Sequence, residues 1–151
     1  DRFGNINTTV IGSHEHPTAR LPGSGGANDV GSFCHRTIII MRQDPRKFVD
    51  RLDFLTTPGY LDGPGARERC GLPADGGPYR VITQLGVFGF DDDTRKMRLL
   101  ALHPGGSLED VRSNSGFEFP VADRLATTSP PTDDERRVLR EIDPTGLLIK
   151  G

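Results

Sequence analysis

Apolar residues fall into short runs separated by polar stretches, and the spacing within each run predicts its element. Ile6, Val10 and Ile11, with Thr8 and Thr9, form a β-branched stretch that reads as a strand over residues 6–11, ending at Gly12. Residues 13–22 are polar, contain His14 and His16, and read as a loop. The continuous run from Arg36 to Met41 predicts a strand covered on both faces. Residues 46–55 are ambiguous, because Phe48, Leu52 and Leu55 fit a helical spacing in a segment too short to decide. Tyr79 to Phe90 reads as one long strand, 91–96 as a turn and Met97 to Leu102 as a second strand, giving an antiparallel hairpin around 79–102.

Turn and cap residues divide the rest. Thr57-Pro58-Gly59 and Asp62-Gly63-Pro64-Gly65 mark a loop-rich region over 56–78, with one helical turn at Ala66–Cys70. Ser107-Leu108-Glu109-Asp110 opens a helix that stops near Gly116, and Phe117 and Phe119 begin an extended piece. Residues 127–131 read as a linker. Thr132-Asp133-Asp134-Glu135 caps a last helix whose apolar side is Val138, Leu139 and Ile142, stopped before Pro144. Leu147-Leu148-Ile149 is an apolar tail suited to docking on the body or on a partner. Strands alternate with helices and no repeat occurs. The predicted class is α/β: an open, mixed, mostly parallel sheet flanked by helices, with the one hairpin.

Composition narrows this picture. The chain has 151 residues, enough for one domain or a large part of one. A formal net charge of −2 argues against general affinity for nucleic acid or anionic membrane. The longest apolar run is far below the length of a membrane span. Two cysteines, Cys34 and Cys70, make no disulfide framework, which predicts a reduced, cytoplasmic setting. Asp1-Arg2-Phe3-Gly4-Asn5 leads at once into a strand-like run, so an upstream segment of the same domain is expected.

The stretch with the strongest chemical signal is Leu21-Pro22-Gly23-Ser24-Gly25-Gly26-Ala27-Asn28-Asp29-Val30. Three glycines in four residues are costly to order, and chains accept that cost for sharp turns, positive φ or close approach to a ligand. Asn28 and Asp29 are good N-caps, so a short helix over 28–34 is expected after the loop. Free amides there suit an anion, either a phosphate or a developing oxyanion. The dinucleotide fingerprint fails because its third glycine is Asn28, and the P-loop fails for want of its lysine. A purely structural turn is the competing explanation. His14, His16, Cys34 and His35 suit zinc by type, but their spacing matches no usual zinc pattern, which favours a surface histidine pair and a buried cysteine. Ser24 lacks the Gly-x-Ser-x-Gly context of a nucleophile. Arg67 and Arg69 suit a phosphate, although exposed arginines usually meet water.

Several stretches together carry a resemblance. Asp1-Arg2-Phe3-Gly4-Asn5-Ile6-Asn7, Gly23-Ser24-Gly25-Gly26-Ala27-Asn28-Asp29 and Phe54-Leu55-Thr56-Thr57-Pro58-Gly59-Tyr60 resemble the second half of the β subunit of family I CoA-transferases, in particular the glutaconate type. Arg80-Val81-Ile82-Thr83, Met97-Arg98-Leu99, His103-Pro104-Gly105 and Ser115-Gly116-Phe117-Glu118 continue it in order. The resemblance implies that residues 1–151 are the C-terminal part of a β-subunit domain. It implies an α-subunit partner, often in an α2β2 assembly, with coenzyme A as a substrate and no permanently bound cofactor. It also implies ping-pong covalent catalysis, in which a β-subunit glutamate attacks an acyl-CoA and a glutamyl-CoA thioester follows. That glutamate lies upstream of the matched segment, so no catalytic residue is assigned within this chain. Gly23, Ser24, Gly25, Gly26, Ala27 and Asn28 are the residues carried over, as a loop beside the reacting thioester. Relatives of this fold that hydrolyse an acyl-CoA or open a steroid-derived ring are the alternative; their departure from Gly-Ser-Gly-Gly in this loop favours transfer. A non-catalytic truncated module is the third reading.

Overall fold

In the computed structural model, which describes residues 1–147, the order is β1 (Val10–Gly12), β2 (Pro17–Arg20), α1 (Ala27–Phe33), β3 (Thr37–Ile40), α2 (Ala66–Arg69), β4 (Pro78–Ile82), β5 (Gly86–Phe90), β6 (Met97–Leu102), α3 (Leu108–Ser113), β7 (Val121–Thr127) and α4 (Asp133–Ile142). The α/β class holds. One sheet runs β3-β4-β5-β6-β7, with β3–β4 and β6–β7 parallel and the two inner pairs antiparallel. β1 and β2 form a separate antiparallel ribbon.

The start of the chain departs from expectation. Ile6 joins only an isolated bridge to Thr57, and the strand begins at Val10. Asn7 is the cause: its Oδ1 accepts from the amides of Thr9 and Val10 at 3.0 and 3.3 Å, and its Nδ2 donates to the Val10 carbonyl at 2.7 Å. Such a local side-chain turn competes with a ladder. The polar stretch 13–22, expected as a loop, contains β2, which pairs through its backbone and exposes most of its side chains.

The hairpin around 79–102 is present, but its long first arm is two strands. Thr83 breaks it: its hydroxyl oxygen accepts from the Leu85 and Gly86 amides, both at 3.1 Å. Gly86 completes the turn, since a β-carbon there would lie 2.4 Å from the Ala101 carbonyl oxygen. The result is a three-stranded meander, β4-β5-β6.

One face of this sheet carries the core: Val81, Phe88, Met97 and Leu99 pack against Phe48, Val111 and Phe117. Val111 comes from α3, whose N-cap Ser107 accepts from the Asp110 amide at 3.0 Å, as its sequence predicts. Phe48 stacks on Phe117 with an interplanar angle of 11°. Phe48 belongs to the ambiguous 46–55 stretch, which forms turns rather than a helix and still contributes to the core. Gln43, 1% exposed, ties this loop to α3 by donating to the Val111 carbonyl at 2.9 Å and the Ser115 hydroxyl at 2.8 Å.

The opposite face corrects a second expectation. β3 is an edge strand, and although Ile39 packs on the core, Ile38 and Ile40 are 57% and 79% exposed. The strand is therefore covered on one face only. α4 has its full capping box between Thr132 and Glu135, yet none of its residues is buried, and Val138, Leu139 and Ile142 are all exposed. Leu147 is exposed; the remainder of the expected docking tail, Leu148-Ile149, lies outside the described residues.

Candidate functional site

The segment over 54–60 organises the region around the glycine loop. Asn5 Oδ1 accepts from the Gly59 and Leu61 amides at 2.8 and 3.0 Å, while Asn5 Nδ2 donates to the Leu61 carbonyl at 2.8 Å. Gly59 must be glycine, because a β-carbon would fall 2.4 Å from the Gly4 carbonyl carbon. Thr56 Oγ1 accepts from the Thr8 amide at 2.9 Å and lies 2.7 Å from Thr9 Oγ1. On its far side the Thr56 carbonyl accepts from Asn28 Nδ2 at 2.7 Å. Residues 1–7, 23–29 and 54–60, distant in sequence, thus meet at one place.

The loop itself is exposed. Its entry is held by Leu21 N–H donating to the Thr9 carbonyl at 2.9 Å and Gly23 N–H to the Thr8 carbonyl at 2.7 Å. Gly23 and Gly25 have φ of 92° and 49°, so both use the left-handed region. Gly26 differs: its φ is −82°, and a β-carbon there would have no neighbour within 4 Å. Neither its conformation nor packing within the chain requires glycine. Ala27 N–H donates to the Ser24 carbonyl at 2.9 Å, and Ser24 Oγ donates to the Gly25 carbonyl at 3.1 Å. The amides of Ser24, Gly25, Gly26 and Asn28 have no acceptor among the described residues.

α1 begins at Ala27, one residue earlier than expected, and its N-cap is Gly26 with no side-chain cap. Asn28 is not the cap, because its side chain is committed to Thr56. The helix is fixed against the 54–60 segment again at its middle, where a β-carbon on Gly31 would lie 2.4 Å from Thr57 Cγ2.

Arg67 overturns the expectation of an exposed, water-facing arginine. It is 2% exposed. Nη1 donates to the carbonyls of Gly31 and Gly59 at 3.1 and 2.9 Å, Nη2 to Ser32 at 2.8 Å and Nε to Pro73 at 3.1 Å. No carboxylate pairs with it within 4 Å among the described residues. Burial pushes its pKa below the usual arginine value, and a guanidinium keeps its charge in proteins. An arginine that binds carbonyls has no periodicity or partner spacing to betray it in sequence.

The remaining candidates stay apart. His14 stacks on Phe54 at 5.3 Å and His35 lies 3.3 Å from Asp75. Cys34, expected to be buried, is exposed, because it follows α1 at the surface. No group of three or more His, Cys, Asp or Glu side chains among the described residues is arranged to hold a metal ion. No helix among them is long and apolar enough to cross a membrane.

Comparison with known proteins adds the decisive observation. The family model described as coenzyme A transferase matches residues 1–114. The chain belongs to the coenzyme A transferase family. It is similar to the β subunit of glutaconate CoA-transferase from Acidaminococcus fermentans, 43% identical over 150 residues that make up 99% of this chain and 56% of that one. The crystal structure of that transferase superposes on all of this chain and 58% of its own with a TM-score of 0.92. The chain is also similar to the β subunit of 3-oxoadipate CoA-transferase from Pseudomonas knackmussii, 39% identical, covering 95% and 55%. A third relative is the IpdB subunit of the cholesterol ring-cleaving hydrolase from Mycobacterium tuberculosis, 34% identical, covering 97% and 58%. The chain therefore spans little more than half the length of the curated relatives it matches.

Proposed function

We propose that this chain is part of the β subunit of a CoA-transferase, which moves coenzyme A from an acyl-CoA to a carboxylic acid through a glutamyl-CoA thioester. The nucleophilic glutamate comes from polypeptide outside residues 1–151. In the first step its carboxylate adds to the thioester carbonyl, and negative charge develops on the carbonyl oxygen. CoA thiolate then leaves, giving an acyl-glutamyl anhydride. The thiolate attacks the glutamyl carbonyl and releases the donor acid. The second acid repeats the sequence in reverse. No redox partner or metal enters this balance.

This chain's contribution is the loop Gly23, Ser24, Gly25, Gly26, Ala27 and Asn28. The observation that carries the reading is Gly26: an exposed glycine that neither φ nor packing requires, beside amides left without acceptors. Close approach of a thioester accounts for both features. One well-placed donor to an oxyanion is worth on the order of 3 kcal/mol of barrier. The uncovered apolar side chains Ile38 and Ile40, and those of α4, suit burial by the rest of the β subunit and an α-subunit partner, in an α2β2 assembly in the cytoplasm. Coenzyme A enters as substrate, with no other resident cofactor.

The test is Gly26→Val in the complete heteromeric enzyme. Turnover falls roughly tenfold or more, with assembly intact. Unchanged turnover in an intact assembly rejects the role. The 34% identity to a ring-cleaving hydrolase subunit keeps a hydrolytic reaction as the second reading. A glutamate in the upstream nucleophile motif favours transfer, and its absence favours the second reading.

A further inference from the structure

We infer that Arg67 is a positioning residue for the glycine loop, acting through α1. The inference rests on the loop being the thioester site. The guanidinium joins three pieces of chain that are separate in sequence. Two of its acceptors, Gly31 and Ser32, belong to the last turn of α1, where carbonyls lack helical partners. A third, Gly59, lies in the segment that also receives Asn28, and the fourth is Pro73 in the loop after α2.

α1 is consequently held at both ends to one short segment: Asn28 reaches Thr56 at its start, and Arg67 bridges Gly31 and Ser32 to Gly59 at its end. Between these points Gly31 packs directly on Thr57 and Pro58. The helix follows the loop without a break, because its N-cap is Gly26 itself. Any shift of α1 along this seam therefore moves the Gly25 and Gly26 amides. Room for the guanidinium is also built in, since a β-carbon on Gly76 would fall 2.8 Å from Arg67 Nη2. A cation buried without a carboxylate is costly, and hydrogen bonds to carbonyls with fixed directions are what offset that cost. Lysine keeps the charge but cannot reproduce the planar fork.

The experiment uses Arg67→Lys in the complete heteromeric enzyme, with turnover counted per assembled active site. The expected result is kcat lower by about tenfold, with KM for both substrates changed less than about twofold. A purely structural role would lower the melting temperature and the yield of assembled enzyme without altering kcat per site, and that outcome overturns the inference. Should Arg67→Lys fail to assemble, Gly31→Ala disturbs the same seam with Arg67 intact, because its methyl group meets Thr57 Cγ2. Gly31→Ala lowers kcat similarly, and adding Thr57→Ser, which removes that methyl, restores at least part of it. An assembled Gly31→Ala enzyme with full kcat overturns the inference as well. Gly26→Val separates the two levels: if it leaves turnover unchanged, the loop reading fails; if it slows turnover while assembled Arg67→Lys does not, only the positioning role fails.

Discussion

Asn28 donates its side-chain amide to the Thr56 carbonyl across 2.7 Å, so the helix after the glycine loop is tied down at its first turn by a residue expected to cap it. No other donor reaches that carbonyl among the described residues. Asn28→Ala therefore lowers the unfolding free energy by about 1 kcal/mol, measured by chemical denaturation of the assembled protein. An unchanged midpoint would show that solvent replaces the bond without cost.

Gly26→Ser separates stability from turnover. The position has φ of −82° and ψ of 0°, which serine adopts without strain, and a β-carbon there meets nothing within 4 Å. The substitution leaves the melting temperature unchanged or slightly raised while lowering turnover. Full turnover would mean that the space above Gly26 stays open during the reaction. Gly25→Ser, at φ of 49°, is strained in addition and loses stability as well.

Gln43 links three elements through its side chain, with Thr83 Oγ1 donating to its Oε1 at 3.1 Å and its Nε2 donating to α3. Gln43→Leu fills a similar space and removes the bonds to Thr83, Val111 and Ser115, while Thr83 keeps the Gly86 carbonyl and Ser115 keeps the Val111 carbonyl. The expected cost is about 1 kcal/mol in urea or guanidinium unfolding, and a loss near zero would show that the remaining bonds make up for those removed.

The turn between β5 and β6 is pH-sensitive. The Thr94 amide and then its hydroxyl, each 2.8 Å from Asp91 Oδ1, hold the Asp91 carboxyl below its ordinary pKa. A folded pKa below the unfolded one means that the stabilisation is fully present above about pH 4. It is lost as pH falls through the lower, folded value. A carboxyl-carbon NMR titration gives a midpoint below that of an unfolded peptide, and Thr94→Val moves it part-way back. A midpoint at or above the peptide value contradicts the assignment.

Much of this was legible in the sequence because it rests on local rules. Ser107 and Thr132 announce their helices through caps, and Met97–Leu102 alternates cleanly about the sheet. The glycine loop is equally visible, since nothing else concentrates glycine so tightly. What escaped was set by side chains acting at a distance or against the pattern. Thr83 splits an apolar run that reads as continuous, and Asn7 curls a β-branched run out of its ladder. β3 looks buried on both faces because its isoleucines are consecutive, but burial depends on what lies over them. Arg67 serves four carbonyls gathered from three segments, and no window of sequence contains them.

β3 makes the order of assembly matter. Its free edge and its outward isoleucines sit side by side on a short strand with no charged or proline residue inside it to blunt pairing. In a chain produced by itself, this edge and these side chains are open to pairing with its own copies. Its fate is then second order in protein, so concentration, more than temperature, decides how long the isolated chain survives as a single molecule.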